Sequence, residues 1–164
     1  MDRYASILAY TAPVLVPVTA IWDARWVSHA LMLLITLLSV ALLRLAPIRL
    51  SKFSYLTQIG IPALTAALVA PVGVGMLGIA GGVFAADVAW LRKPMRAGAV
   101  NAGRETLGFA VAYGFYALAL RLNGVTAISL EFLAPFAVLA GTYFAVTRIL
   151  FYLSLIVRGK LEVE

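Results

Sequence analysis

The sequence predicts an all-α membrane protein, a polytopic bundle of about six transmembrane helices. Three observations support this fold class. Hydrophobic residues make up 63% of the 164 residues and charged residues only 12%, whereas soluble domains average roughly one half and one quarter. The apolar residues form long runs of membrane-spanning length. The basic residues collect between alternate runs, as in proteins whose loops face two different compartments.

Hydropathy divides the chain into six segments within one transmembrane domain, 1–164. The predicted helices cover residues 4–22, 27–45, 55–70, 72–91, 97–121 and 128–157. The third segment is shorter than the roughly 20 residues that a crossing needs. We therefore expect a short or broken third helix, either re-entrant or tilted, and the sequence leaves open whether residues 55–70 cross fully.

The basic residues also predict the orientation. With six crossings and both termini in the cytoplasm, nine basic residues lie on the inner side: Arg3, Arg44, Arg49, Lys52, Arg92, Lys93, Arg96, Arg158 and Lys160. Only Arg25 and Arg121 lie in the outer loops. This asymmetry follows the positive-inside rule, so we expect a multi-pass protein of the cell inner membrane with cytoplasmic N and C termini.

Composition excludes several kinds of function. The chain has no cysteine and one histidine, so we expect no disulfide, no thiolate chemistry and no metal site. No nucleophile–base set or phosphate-binding loop is recognisable, and we expect neither an enzyme nor a cofactor. The basic residues separate apolar runs and form no single stripe, which argues against a nucleic-acid partner.

Small residues predict where helices pack closely. Gly78 and Gly82 lie four residues apart on the fourth helix, and Gly98 and Gly114 lie in a similar series on the fifth. Small residues at this spacing let helix backbones approach each other in lipid. We expect these two helices to form the tight centre of the bundle, with a homodimer seam as the alternative.

Four polar residues at membrane depth are the candidate ligand or signal-relay patch: Asp87, Asn101, Arg104 and Glu105. Charged groups inside a span are functional candidates by default. Simpler interpretations stay open, because Asp87 can pair with the basic residues 92–96 and Arg104 with Glu105. Arg148 can extend to the inner headgroups beside Phe151 and Tyr152. His29 and Glu131 are expected at the outer rim.

Residues 71–120 also carry a recognisable order of features. A glycine-rich helix ends near Asp87, a short basic loop follows at 92–96, and an Asn-led helix carries Asn101, Arg104 and Glu105. This order resembles the N-terminal membrane domains of bacterial signalling proteins that precede cyclic-di-GMP enzymes or histidine kinases. The chain is also similar in size and helix pattern to the S components of energy-coupling-factor transporters and to MreD-type subunits. It ends at Glu164 without a catalytic domain, so it is either part of a longer signalling protein or works alone.

These resemblances imply three functions. The favoured one is a non-catalytic sensor or regulatory module that passes a conformational signal to the cytoplasmic side. The others are a structural or accessory subunit of a larger membrane complex and a small-solute-binding S component. The expected partners are the lipid bilayer, other membrane subunits or a second copy of the chain, and a small polar ligand.

Overall fold

The computed structural model describes residues 3–49, 55–56, 58–124 and 130–157. Within these ranges the chain is an all-α bundle of six helices with one small β-hairpin, which confirms the predicted fold class. In chain order, its elements are α1 (Arg3–Trp22), a 3-10 turn (Ala24–His29), α2 (Ala30–Leu45), β1 (Ile48–Arg49), β2 (Tyr55–Leu56), α3 (Gly60–Val69), α4 (Val72–Ala85), a π-helical turn (Ala86–Trp90), α5 (Met95–Leu122), a 3-10 turn (Leu130–Phe132) and α6 (Leu133–Val157).

The helices run back and forth between two ends. At one end, the start of α1 meets the start of α5, where Arg96 donates a hydrogen bond to Ser6. The end of α2 and the β-hairpin that follows it lie here too, and we call this the hairpin end. At the other end, Asp23 follows α1 and lies against Gly73 in the first turn of α4. We call that the Asp23 end.

The third helix is short, as predicted, but it begins at Gly60 and not at residue 55. Tyr55–Leu56 instead pairs antiparallel with Ile48–Arg49. Hydropathy alone does not distinguish a short apolar strand from the start of a helix, which explains the wrong boundary. At about 1.5 Å per residue, ten helical residues span roughly 15 Å, about half of a hydrocarbon core near 30 Å thick.

Gly60 shows where this half-helix starts. A Cβ at Gly60 would lie 3.0 Å from the Phe144 ring and 3.3 Å from the Tyr143 ring, and both aromatic residues lie near the middle of α6. The half-helix therefore begins inside the bundle and runs toward the Asp23 end. Gly60, Pro62 and Ala63 in its first turn are buried, as a helix broken at membrane depth requires, whereas Ile61 is exposed.

Four helical stretches are long and apolar enough to cross a membrane. They are Arg3–Trp22, Ala24–Leu45, Val72–Trp90 and Leu130–Val157. Much of their surface is exposed and apolar: Ile21 is 82% exposed and Leu31 is 70% exposed. Exposed side chains of this kind suit a lipid environment, and they identify the chain as a membrane protein. The 28-residue α5 is not among the four, and its first half carries several charged and polar residues.

α4 lies at the centre of the bundle, since 61% of its apolar stretch is buried against 11% for α1 and 17% for α6. Two of its glycines permit close approach to α2. A Cβ at Gly78 would lie 2.6 Å from Thr36, and one at Gly82 would lie 2.7 Å from the carbonyl oxygen of Leu37. Gly78 and Gly82 therefore allow tight packing against α2 and not, as predicted, against α5.

The glycines of α5 differ in how closely they approach neighbouring helices. A Cβ at Gly98 would lie 2.7 Å from Val88, so this position does bring α5 close to the end of α4. Gly114 has no described atom within 4 Å of the Cβ position, and its predicted packing role is wrong within the described chain. Gly103 makes the closest approach, to the carbonyl of Leu8 on α1. The crossing of α1 and α5 was not predicted.

Candidate functional site

A cavity of about 410 Å³ lies in the hairpin half of the bundle, among α2, α3, α5 and α6. This volume falls within the roughly 300–1,000 Å³ typical of small-molecule pockets. Its lining residues are Arg44, Pro47, Ile59, Gly60, Leu91, Lys93, Asn101, Arg104, Glu105, Tyr143, Phe144, Thr147, Arg148 and Phe151. We call it the cationic cavity, because four of these residues are basic and one is acidic.

Asp87 anchors one wall of the cavity. Its side chain is fully buried, and its carboxylate accepts two hydrogen bonds of 3.0 Å from Nε and Nη2 of Arg44. It also accepts one of 2.7 Å from Nζ of Lys93 and one from Nδ2 of Asn101. A buried carboxylate is tolerated when it is paired and fully hydrogen-bonded. These residues, the Asp87 cluster, tie together the end of α2, the end of α4 and the start of α5.

The backbone around Asp87 explains how Lys93 reaches it. Residues Ala86–Trp90 form a π-helical turn, closed by the bond from the Leu91 N–H to the Ala86 carbonyl. Arg92 then adopts a left-handed conformation, with φ of 50°, which reverses the chain direction as a residue after a helix end commonly does. The Lys93 N–H donates to the Asp87 carbonyl at 2.9 Å. Backbone and side chain of Lys93 therefore both bond to Asp87.

Glu105 organises a second part of the wall, one turn along α5 from Asn101. Nη2 and Nε of Arg104 donate to its Oε1 at 3.0 and 3.3 Å, and the Tyr143 hydroxyl donates to Oε2 at 3.1 Å. The Arg104 guanidinium also lies 5.4 Å from the centroid of the Phe151 ring, within the range of a cation–π interaction. This second group, the Glu105 cluster, joins α5 to α6.

Arg148 lies on the same side of α6 as the other α6 residues of the cavity, one turn beyond Phe144. Residues three or four apart share a helix face, which places Tyr143, Phe144, Thr147, Arg148 and Phe151 together. Among the described residues, no carboxylate lies within 4.0 Å of Arg148, in contrast to Arg44, Lys93 and Arg104. Of the four cations in the cavity, Arg148 is therefore the one without a carboxylate partner among the described residues.

The charges give the cavity a positive balance. Four cations, Arg44, Lys93, Arg104 and Arg148, face two carboxylates, Asp87 behind the wall and Glu105 in it. Gly60, the first residue of α3, and Ile59, which precedes it, line the cavity as well. The N-terminus of a helix carries a partial positive charge, so α3 adds to the positive potential.

The predicted polar patch thus divides into two clusters around one cavity. Asn101 does bond to Asp87, but Arg104 and Glu105 bond to each other and to Tyr143. Of the basic residues 92–96, Lys93 pairs with Asp87. Sequence analysis missed Arg44 as the main partner of Asp87. The sequence held one indication of this pairing: Arg44 and Asp87 each lie near the end of an apolar helix.

His29 and Glu131 lie away from the cavity, toward the Asp23 end. His29 is half-buried, and its Nδ1 lies 2.9 Å from the Arg25 carbonyl within its own turn. Glu131 is exposed in the turn before α6. Within the described ranges, no three His, Cys, Asp or Glu residues are grouped to hold a metal ion.

Comparison with known proteins adds no relative: no protein-family model, no curated protein and no solved structure matches this chain. The fold and the site therefore define the class of protein by themselves. It is a membrane helical bundle with a broken third helix, and two buried charge clusters border its cationic cavity.

Proposed function

We propose that this chain is a non-catalytic sensor or regulatory module of the cell inner membrane. It crosses the bilayer several times with both termini in the cytoplasm, binds a small polar ligand in the cationic cavity, and passes a conformational change to the cytoplasmic side. The single observation that carries the proposal is the placement of two neighbouring charge clusters around one cavity. The resemblance of residues 71–120 to bacterial signalling domains is consistent with it.

The charge distribution supports this orientation. The hairpin end carries Arg3, Arg44, Arg92, Lys93 and Arg96, whereas Arg25 and Arg121 lie at the Asp23 end. Under the positive-inside rule the hairpin end faces the cytoplasm. The cavity then lies where a cytoplasmic or inner-leaflet ligand has access.

The route for a signal follows from the contacts. Arg104 bonds to Glu105 on its own helix and lies over Phe151 on α6, and Tyr143 of α6 bonds to the same Glu105. A ligand that binds Arg104 competes with these contacts and changes how the last turns of α6 pack against α5. It shifts the population only if it binds one packing better than the other.

The position of the cavity also weighs against the solute-binding S component. That function requires a pocket entered from the outer side, near His29 and Glu131. The residues that line the cationic cavity, Arg44, Lys93 and Arg148 among them, lie toward the other end. An accessory subunit requires no ligand. A movement that depends on a ligand would therefore favour the sensor function over the accessory-subunit function.

Spin-label distances test the proposal, and the absence of cysteine makes the labelling simple. Labels at Met95→Cys and Tyr152→Cys sit on exposed positions at the cavity end, while a control pair at Trp22→Cys and Leu122→Cys sits on exposed positions at the other end. The protein is placed in phosphatidylcholine nanodiscs and titrated with phenyl phosphate, benzoate and phenyltrimethylammonium in turn.

We expect at least one probe to shift the distance distribution of the first pair and not of the control pair. Arg104→Gln should alter the distribution of the first pair without any probe, since it removes the arginine partner of Glu105 and the cation–π contact with Phe151. If the distance distribution of the first pair stays the same with each of the three probes and also in Arg104→Gln, the sensor function is overturned.

A further inference from the structure

We infer that the ligand of the cationic cavity is an organic phosphate, held by Arg148 and Arg104 at the buried start of α3. This inference rests on the proposed function and assigns the ligand class of the same site. Donor count, geometry and volume each support it.

The first step is the count of available donors. A guanidinium has five N–H groups and an ammonium three. Arg104 uses Nε and Nη2 on Glu105, and Lys93 uses one bond on Asp87. In the described part of the chain, Nη1 of Arg104 makes no hydrogen bond, and Arg148 has no carboxylate partner. The cavity therefore holds cations whose donors exceed what its own carboxylates accept.

The second step is the placement of these donors on different elements of the bundle. Lys93 lies at the Asp87 wall, Arg104 at the Glu105 wall, Arg148 on α6 and Gly60 at the start of α3. A carboxylate offers two oxygens in one plane, while a phosphate offers oxygens in a tetrahedral arrangement and carries up to two charges. Donors on several sides suit the phosphate, and guanidinium groups match its geometry.

The broken helix is the third step. Its N-terminus begins at membrane depth beside Tyr143 and Phe144 and faces a cavity that already contains unpaired cationic donors. Helix N-termini bind phosphates through their backbone dipoles. In membrane proteins, broken helices commonly point their N-termini at anionic groups of a ligand.

The fourth step is the size and the apolar part of the wall. A cavity of about 410 Å³ is far larger than a single inorganic anion needs, since a water molecule occupies roughly 30 Å³. Ile59, Leu91, Phe144 and Phe151 line the remainder. These side chains suit the organic group of a phosphate ester, which comes either from a lipid headgroup with its glycerol or from a soluble metabolite.

Binding calorimetry on the full chain in phosphatidylcholine nanodiscs tests the assignment. Phenyl phosphate and benzoate are matched probes that differ in the anionic group. We expect phenyl phosphate to bind more tightly than benzoate, and Arg148→Gln to weaken it by about tenfold or more, the range for losing charge-assisted hydrogen bonds. Arg148→Lys should fall between, because it keeps the charge and loses the planar fork. Arg121→Gln, on an exposed residue at the Asp23 end, is the control and should change nothing.

A second arm separates the two sources. Nanodiscs that also contain phosphatidic acid should weaken phenyl phosphate binding if a lipid headgroup fills the cavity, and should leave it unchanged if the ligand is soluble. Either result is consistent with an organic phosphate.

Other outcomes contradict the inference. Equal binding of benzoate, tighter binding of the cationic probe, no binding of phenyl phosphate, or an Arg148→Gln variant that binds phenyl phosphate normally would each overturn the phosphate assignment. The spin-label experiment is independent of this choice: a shift with benzoate alone would retain the sensor and reject the phosphate.

Discussion

Arg44 and Asp87 form a buried, two-pronged ion pair that joins the ends of α2 and α4. Both bonds are 3.0 Å, and Arg44 and Asp87 are 8% and 0% exposed. Lys93 and Asn101 complete the coordination of the carboxylate. Since α2 and α4 also pack through Gly78 and Gly82, the pair fixes a helix interface that is already close.

Removing one member of this pair should destabilise the bundle strongly. Asp87→Ala leaves the buried guanidinium of Arg44 without its carboxylate, and a broken buried pair costs about 3–5 kcal/mol. We expect a large drop in the midpoint of thermal or detergent unfolding. Arg44→Met combined with Asp87→Leu should recover part of that loss, because two apolar residues replace the buried pair and the cation that remains, Lys93, is 36% exposed.

The matched control is Asp23→Asn. Asp23 also pairs with an arginine, Arg25, but that side chain is 72% exposed, and exposed pairs contribute little. At neutral pH this variant should lower the unfolding midpoint only slightly, and far less than Asp87→Ala does. If Asp87→Ala were as mild as Asp23→Asn, the Asp87 cluster would not be a structural element of the bundle.

Gly103 and Gly114 should respond in opposite ways to the same substitution. A Cβ at Gly103 would overlap the carbonyl oxygen of Leu8, a backbone atom that cannot move aside, whereas Gly114 has open space around it. Gly103→Ala should push α1 from α5 and destabilise by about 1–3 kcal/mol or more. Gly114→Ala should be neutral or slightly stabilising, because alanine favours the helix by about 1 kcal/mol over glycine. Unfolding midpoints of the two variants, measured side by side, check the prediction, and equal losses would contradict the α1–α5 crossing.

Asp23 should give the protein a component of acid sensitivity outside the spanning segments. The hydrogen bond from Arg25 lowers the pKa of Asp23 below its usual 3.8, and the Gly73 N–H adds to the effect. A carboxyl whose pKa is lower in the folded state stabilises the fold above its unfolded pKa, and this contribution disappears as the pH falls through the folded pKa.

The stability difference between wild type and Asp23→Asn should therefore be constant at neutral pH and shrink as the pH falls below about 4. Unfolding midpoints of both proteins across an acid series measure it. A difference that stays constant down to the lowest pH would show that Asp23 gains nothing from Arg25 and Gly73.

The sequence predicted the fold better than the site, and particular residues show why. The apolar runs directly predict the positions of α1, α2, α4 and α6, because the thickness of the bilayer sets the length of a spanning helix. The start of α3 was wrong by five residues, since Tyr55–Leu56 suits a strand as well as a helix. Asp87, Asn101, Arg104 and Glu105 were predictable as polar residues at membrane depth.

The partners of these residues were not predictable in the same way. Arg44 and Tyr143 lie 43 and 38 residues from Asp87 and Glu105, respectively, and which helices are neighbours depends on the packing of the whole bundle. Arg44 was counted as an orienting charge, and Arg148 was interpreted as reaching the headgroups. Each role is sensible for an isolated helix, and only the tertiary arrangement places both residues in the cationic cavity.

Labelling of single cysteines should reveal the orientation of the two ends. With the hairpin end in the cytoplasm, a membrane-impermeant maleimide added to intact spheroplasts should label Arg121→Cys, because Arg121 is exposed at the Asp23 end. It should label Met95→Cys, which is exposed at the hairpin end, only after the membrane is permeabilised. The positive-inside rule gives this direction because basic loops resist translocation. The reverse pattern would place the cationic cavity on the outer side, where a cytoplasmic phosphate cannot reach it, and would contradict both the orientation and the route proposed for the signal.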